Sequence, residues 1–330
     1  MLVQGTDNRD ILNGSGDVDT IFAYGGDDDI FAGDGNDTIY AGDGIDCVFA
    51  EEGNDYVLGL AGNDSVSGGN GDDRIFGMEG NDTLYGDFGN DLMDGGLGND
   101  SYFVDSLGDT VTERTSEGGE DCVFALVDNY TLTDNVEGLI LLSSSDILKG
   151  TGNSLHNGID GNEFNNVLAG LAGNDIIHAR GGNDRLDGGS GKDFLDADAG
   201  DDTLLGGDDD DILWGRAGSD TLTGGSGKDT FFFSTPQDGI DTIKDLKVAN
   251  DFIGVSPSGF GGGLTMGTLK VDQFRIGSSA KDSSDRFIYN KSTGALYFDV
   301  DGIGGLTQVQ IAKLSTGLVM TNQNIRIFNL

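Results

Sequence analysis

The sequence predicts an all-β chain: a parallel β-solenoid whose coils hold two short strands and two tight turns, closed at its C-terminal end by an antiparallel β cap. Three observations predict it. Between residues 5 and 103 a nine-residue unit repeats eleven times without a break, and between 152 and 232 it repeats nine times more. In each unit one place is almost always acidic, and the place two beyond it is apolar. From Phe233 the last 98 residues carry fewer glycines and read as conventional strands. Repetition this strict fixes architecture before any local propensity is consulted.

On the frame Gly14-Ser15-Gly16-Asp17-Val18-Asp19-Thr20-Ile21-Phe22, the sixth place is Asp in all eleven copies of the first block: Asp10, Asp19, Asp28, Asp37, Asp46, Asp55, Asp64, Asp73, Asp82, Asp91 and Asp100. The eighth place runs from Leu12 and Ile21 to Met93 and Tyr102, and the fourth is Gly in nine copies, from Gly26 to Gly98. Glycine at the first, second and fourth places permits positive φ and close backbone approach, so the loop can turn sharply with several carbonyls pointing inward. The other three residues alternate out, in, out as a strand does, which points only the eighth side chain inward. Two turns and two strands make a coil of 18 residues. Coils stacked at about 4.8 Å place each sixth-place Asp over the one two copies later. Carboxylates roughly 5 Å apart repel by about 3 kcal/mol at an effective dielectric of about 20. A divalent cation between them turns repulsion into coordination, and all-oxygen loops without Cys or His at the sixth place select calcium over zinc or copper.

In these residues the chain resembles the RTX, or haemolysin-type, calcium-binding proteins, whose nonapeptide reads G-G-x-G-x-D-x-U-x. The resemblance covers both repeat blocks and implies a right-handed parallel β-roll with calcium between stacked loops. A site that needs two stacked copies gives roughly 13–16 calcium ions over both blocks.

Taken in order, the chain divides into a first roll block (1–103), degenerate wider coils (104–151), a second roll block (152–232) and a cap (233–330). After Phe103 the frame still places Asp109 sixth and Val111 eighth, but its loop has lost the glycines, which argues against a cation site there. Asp121-Cys122-Val123, Glu137-Gly138-Leu139 and Asp146-Ile147-Leu148 each set an acidic residue two before an aliphatic at irregular intervals. They read as wider coils continuing one solenoid; the alternative is a linker between two rolls. In the second block Asn157 and Asn166 hold the first two sixth places, so those loops should bind calcium poorly, while Asp175, Asp184, Asp193, Asp202, Asp211, Asp220 and Asp229 hold the rest. Trp214, in a ninth place, is expected to face solvent. Asp241 is the sixth place of one last copy, and Asn250-Asp251-Phe252-Ile253 echoes it. Residues 286–289, 295–300 and 307–312 read as antiparallel strands joined at 290–294 and at Asp301-Gly302. Solenoids need closed ends, so this region is the expected cap. Asp299 and Asp301 form either a plain hairpin turn or a further calcium site. The cap also resembles the post-repeat tail of serralysin-type and other type I-secreted RTX proteins, through residues 241–246 and the apolar ending Ile325-Arg326-Ile327-Phe328-Asn329-Leu330. That resemblance implies an uncleaved C-terminal export signal read by a type I ABC exporter.

With 18 basic against 58 acidic residues the net charge is −40, which excludes nucleic acid or an anionic membrane as primary partner and asks for cations. No stretch is long and apolar enough to span a bilayer, and Met1-Leu2-Val3-Gln4 lacks the form of a signal peptide. Cys47 and Cys122 read as two unpaired thiols. Enzyme signatures are missing: there is no HExxH and no GxSxG, and the pairs Gly191-Lys192 and Gly227-Lys228 precede Asp where a phosphate loop needs Ser or Thr. His156 and His178 stand isolated. The first copy begins at Gly5, so no catalytic domain is expected ahead of the repeats. The expectation is a secreted, non-enzymatic calcium-binding roll that folds on extracellular calcium, with a cell-surface glycan or protein as a further partner. The alternatives are a repeat module of a secreted RTX protease, lipase or polysaccharide epimerase, and a surface-layer or adhesive protein.

Overall fold

The computed structural model describes residues 1–114, 119–143 and 148–330, so Asp146 and Ile147 lie outside the described residues. The chain forms two compact units, Met1–Asn157 and Gly158–Leu330. It is a parallel β-solenoid, and among the described residues no helix is long and apolar enough to cross a membrane.

In the first unit alternate strands fall into two parallel sheets. One runs from Leu2–Gln4 through Thr20–Phe22, Thr38–Asp43, Tyr56–Ala61, Arg74–Glu79 and Leu92–Leu97 to Thr110–Thr112. The other runs from Ile11–Ser15 to Ser101–Val104, then Cys122–Ala125 and Gly138–Leu141. The 18-residue coil sets the register, with Ile21 beside Ile39 and Leu84 beside Tyr102. After Ser101–Val104 the pairings Tyr102 with Val123 and Val123 with Leu139 step by 21 and then 16 residues, so the expected wider coils include one that is narrower.

The strands are longer than the three residues expected: Thr38–Asp43 and Tyr56–Ala61 span six each. Strand alternation therefore runs from the sixth place through the eighth to the first, and all three point inward. Ile21, Ile39 and Val57 are fully buried, and so are the first-place Ala23, Ala32, Ala41 and Ala50, a second apolar row beyond the one expected. Ninth-place aromatics stack outside at the same register, as in Phe22 on Tyr40 (4.7 Å, 7°) and Phe103 on Phe124 (4.7 Å, 7°). Such cross-strand pairs stabilise each step of the sheet.

In the second unit one sheet runs Gly158–Asp160, Ile176–His178, Phe194–Asp196, Ile212–Trp214, Thr230–Phe233 and Phe252–Val255, then takes Ile325–Ile327 in parallel and Gly267–Thr268 antiparallel. The other runs from Val167–Ala172 to Asp241–Ile243 and continues into Val309–Lys313, Ala295–Phe298, Phe287–Tyr289 and Phe274–Ile276. Antiparallel pairing of Phe287–Tyr289, Ala295–Phe298 and Val309–Lys313 matches the expected cap strands. The connection at Asp301-Gly302 is a loop from Asp299 to Gln308 rather than a two-residue turn. Trp214 is not solvated as expected: it is half-buried, packed edge-on against Phe232 at 5.2 Å and covered by Arg216, whose guanidinium carbon lies 3.7 Å from the ring centroid. Phe232, another ninth-place residue, is buried because Phe328 from the end of the chain covers it at 5.2 Å.

Candidate metal centre

The loops between strands hold the sixth-place carboxylates in ladders one coil apart. The main-chain N–H of Asp37 donates to Asp55 Oδ1 (2.7 Å) and that of Asp55 to Asp73 Oδ1 (2.7 Å). On the facing turns the N–H of Asp28, Asp46, Asp64 and Asp82 donates in the same way to Asp46, Asp64, Asp82 and Asp100. The second unit repeats this from Asp175 to Asp193 and Asp211, and from Asn166 to Asp184, Asp202 and Asp220, ending with Asp220 donating to Asp241 Oδ1 at 3.1 Å. Each such Asp is buried.

One carboxylate oxygen is thus held by a main-chain N–H of the neighbouring coil. The other, Oδ2 of Asp28, Asp37, Asp46, Asp55, Asp64, Asp73 and Asp82, and of Asp184, Asp193, Asp202, Asp211 and Asp229, is buried without a hydrogen-bond donor. A buried anionic oxygen with no donor is costly and is the chemistry a hard cation satisfies. Burial pushes these acids up: Asp64 and Asp73 to about 6, Asp55, Asp82 and Asp202 to about 7, Asp211 to about 8. The donor set is all oxygen, and it fits calcium.

The glycines work differently from place to place. At the second and fourth places φ is positive, as expected: Gly69 at +100° and Gly62 at +149°. Several second places hold that conformation without glycine, including Tyr24, Leu60 and Arg216. First-place glycines do not need positive φ. A Cβ on Gly77 would lie 2.1 Å from Asp82 Oδ2 and 2.7 Å from the carbonyl oxygen of Gly95, so the residue is small because an oxygen of its own loop and one of the next coil converge there.

The Asn loops are closed by their own amides. Asn157 Nδ2 donates to the carbonyls of Val136 (3.2 Å) and Glu137 (3.3 Å), and Asn153 N–H donates to Asn157 Oδ1 (2.7 Å). Asn166 Oδ1 likewise accepts from Asn162 N–H (2.8 Å). An amide supplies the donor that a cation would otherwise replace. At the N-terminal end, Asp10 Oδ2 accepts from Thr6 N–H and Oγ1, and Asp19 Oδ2 from Ser15 N–H and Oγ. The Met1 ammonium beside it holds the Asp19 carboxyl below the usual range.

The ladders extend past the aspartates expected to hold calcium, into the acidic positions of the degenerate frame. Asp109 accepts from Asp91 N–H (3.1 Å), Asp121 from Asp100 N–H (2.8 Å), Glu137 from Asp121 N–H (3.1 Å) and Asp251 from Asp229 N–H (3.3 Å). The acid-x-aliphatic signal was present at Asp121, Glu137 and Asp251, but irregular spacing hid the register. Glu113 had no signal: it joins Asp100 and Asp121, one oxygen from each lying within 4.8 Å of the others, and accepts a hydrogen bond from the Tyr102 hydroxyl. In the cap, Asp299 Oδ1 accepts from the N–H groups of Asp301 (3.3 Å) and Gly302 (2.8 Å), inside a loop longer than the expected hairpin turn. Cys47 and Cys122 form no disulfide among the described residues.

A family model described as the RTX calcium-binding nonapeptide repeat matches residues 4–39, 31–66, 67–102, 160–195 and 196–231, more than half of the chain. No curated protein matches. Among solved structures, the crystal structure of the extracellular lipase LipA from Serratia marcescens is similar at 19% identity and a TM-score of 0.26, covering 84% of this chain and 40% of the lipase. The chain therefore corresponds to less than half the length of that enzyme.

Proposed function

The chain belongs to the family of RTX calcium-binding nonapeptide-repeat proteins, and from that premise we propose that it is a secreted, non-enzymatic protein whose roll forms when extracellular calcium enters the aspartate ladders. The observation that carries this is the row of buried carboxylates such as Asp55 and Asp202, with one oxygen on a main-chain N–H and, among the described residues, no donor on the other. Bound calcium supplies the positive charge that these loops lack. The ladders exist only in the coiled chain, so binding free energy is folding free energy. Extracellular-type sites of roughly 10⁻⁴–10⁻³ M affinity stay unfilled in a cytosol, where the chain would remain extended by its own charge. Circular dichroism during calcium titration, beside an assay of where the protein accumulates, tests the proposal.

Protons should compete with calcium. Asp55, Asp82 and Asp202 reach about 7 and Asp211 about 8 in the folded coils, above their unfolded values. A raised folded pKa gives stability that is present in acid and lost as pH rises through about 6–8. The metal-free chain is therefore expected to gain β structure below about pH 4, to lose it progressively as pH rises, and to have lost it by about pH 8. The calcium midpoint should rise as pH falls from about 8 to 6. A calcium midpoint independent of pH over that range would contradict the role given to these carboxylates.

Export is proposed to run through a type I ABC exporter that reads the extreme C-terminus. In the folded cap this segment is occupied: Asn324 Nδ2 donates to Val248 O (2.8 Å), Phe328 N–H to Val255 O (3.1 Å), and Ile325 and Ile327 are buried. Deleting 324–330 thus removes part of the cap together with the proposed signal. Ile327→Asp separates the two, because it disrupts the cap but keeps the rest of the tail. The truncation should accumulate in the cytosol, while Ile327→Asp should leave the cell and fold poorly outside. Normal secretion of the truncation, or an N-terminally processed secreted form, would overturn this route.

A further inference from the structure

Basic side chains that gather on one aromatic ring stand out in a chain with 18 basic against 58 acidic residues. Two occur together at the C-terminal end of the second unit. Arg326 lies over the Phe252 ring with its guanidinium carbon 4.3 Å from the centroid, and Lys228 Nζ lies over the same ring at 5.1 Å. Neither makes an ion pair among the described residues. The acid that lines the same cleft, Asp210, is shared: Oδ2 accepts from Lys192 Nζ (2.8 Å) and Oδ1 from the main-chain N–H of Lys228 (3.1 Å). A ring face attracts a cation but does not neutralise it.

Both cations border an open cleft of about 500 Å³ whose apolar walls include Phe252, Phe328 and the exposed side chain of Met266. That size is ordinary for a small-molecule site, in which apolar walls supply area and a few polar groups fix orientation. Asp210 also lines the cleft, and Asp210, Lys228 and Phe252 directly adjoin the ladder residues Asp211, Asp229 and Asp251 in sequence, although none of those three ladder carboxylates lines it. A cationic ligand is excluded by Lys228 and Arg326. A polyanion is opposed by the field of a chain carrying −40.

We propose that this cleft binds a small amphiphilic anion, with a single negative head group between Lys228 and Arg326 and an apolar body along Phe252, Met266 and Phe328. The head group pairs with the two cations, and the body covers the exposed Met266. Occupancy has a built-in reporter. Phe328 contacts Phe232 at 5.2 Å, and Phe232 contacts Trp214, the single tryptophan of the chain, at 5.2 Å.

The test uses the full calcium-loaded chain with octane-1-sulfonate as probe, followed by Trp214 fluorescence and by calorimetry. Saturable binding at one site per chain is expected. It should weaken at least about tenfold in Lys228→Gln/Arg326→Gln, and by a similar factor for octan-1-ol, which lacks the charge, and ethanesulfonate, which lacks the body. Met266→Glu, at an exposed position, should abolish binding and leave the calcium titration unchanged. Absence of saturable binding by the native chain overturns the proposal. So does equal affinity for octan-1-ol, or undiminished affinity in a double variant whose calcium-dependent circular dichroism is native.

Discussion

In excess chelator at neutral pH the chain is expected to give the circular dichroism of a disordered polypeptide, and to convert cooperatively to β structure when calcium is restored. The reason lies in what each coil buries. Its core is one eighth-place aliphatic per strand plus first-place residues no larger than alanine, so the apolar gain is small for 18 residues ordered. Against it stand carboxylates such as Asp55, Asp64 and Asp82, fully desolvated with one oxygen lacking a donor. Burying an unpaired charge costs several kcal/mol per ion, and the cost recurs at every rung. A cooperative β spectrum already present in chelator at neutral pH would show that the apolar core suffices alone.

The second large effect is expected at Gly62. Its φ is +149°, and an added Cβ would lie 1.4 Å from the carbonyl oxygen of Gly44, the equivalent fourth-place residue one coil earlier. Neither atom can move without shifting backbone. Gly62→Val should therefore cost about 3 kcal/mol or more, from overpacking and a strained φ together, and should raise the calcium needed to fold. Gly16 is the control. It holds a third place, where an added Cβ meets nothing closer than Asp34 Oδ2 at 3.9 Å, so Gly16→Ala should leave the calcium midpoint nearly unchanged. Equal midpoints for the two variants would refute the account of close coil-to-coil contact at the fourth place.

Much of this architecture is legible in the sequence because the period does the work. An invariant Asp every nine residues, doubled to 18 by the two turns of a coil, predicts a ladder of carboxylates, and the hydrogen bond from Asp37 to Asp55 is that ladder. The eighth-place core is legible for the same reason. What escaped depends on contacts that no local pattern encodes. Phe232 and Trp214 follow the outward alternation of their strands, but residues 325–328, almost a hundred positions further on, return to cover that face. Glu113 joins Asp100 and Asp121 only because the chain between them departs from the nine-residue spacing. Of the two reasons the sequence offers for first-place glycines, positive φ and close approach, the structure needs only the second: the Asp82 Oδ2 and a carbonyl from the next coil meet beside Gly77.

Calcium stoichiometry tests the central claim most directly, that the aspartate ladders are cation sites and the charge of −40 is mostly a demand for calcium. Equilibrium dialysis of the folded chain, with metal counted by atomic absorption, should give roughly 13–16 ions per chain, about +26 to +32 of compensating charge. Asp55 accepts from Asp37 and donates to Asp73, so Asp55→Ala should remove about two of those ions and shift the folding midpoint to higher calcium. Fewer than about five ions per native chain, or an undiminished count in Asp55→Ala, would contradict it.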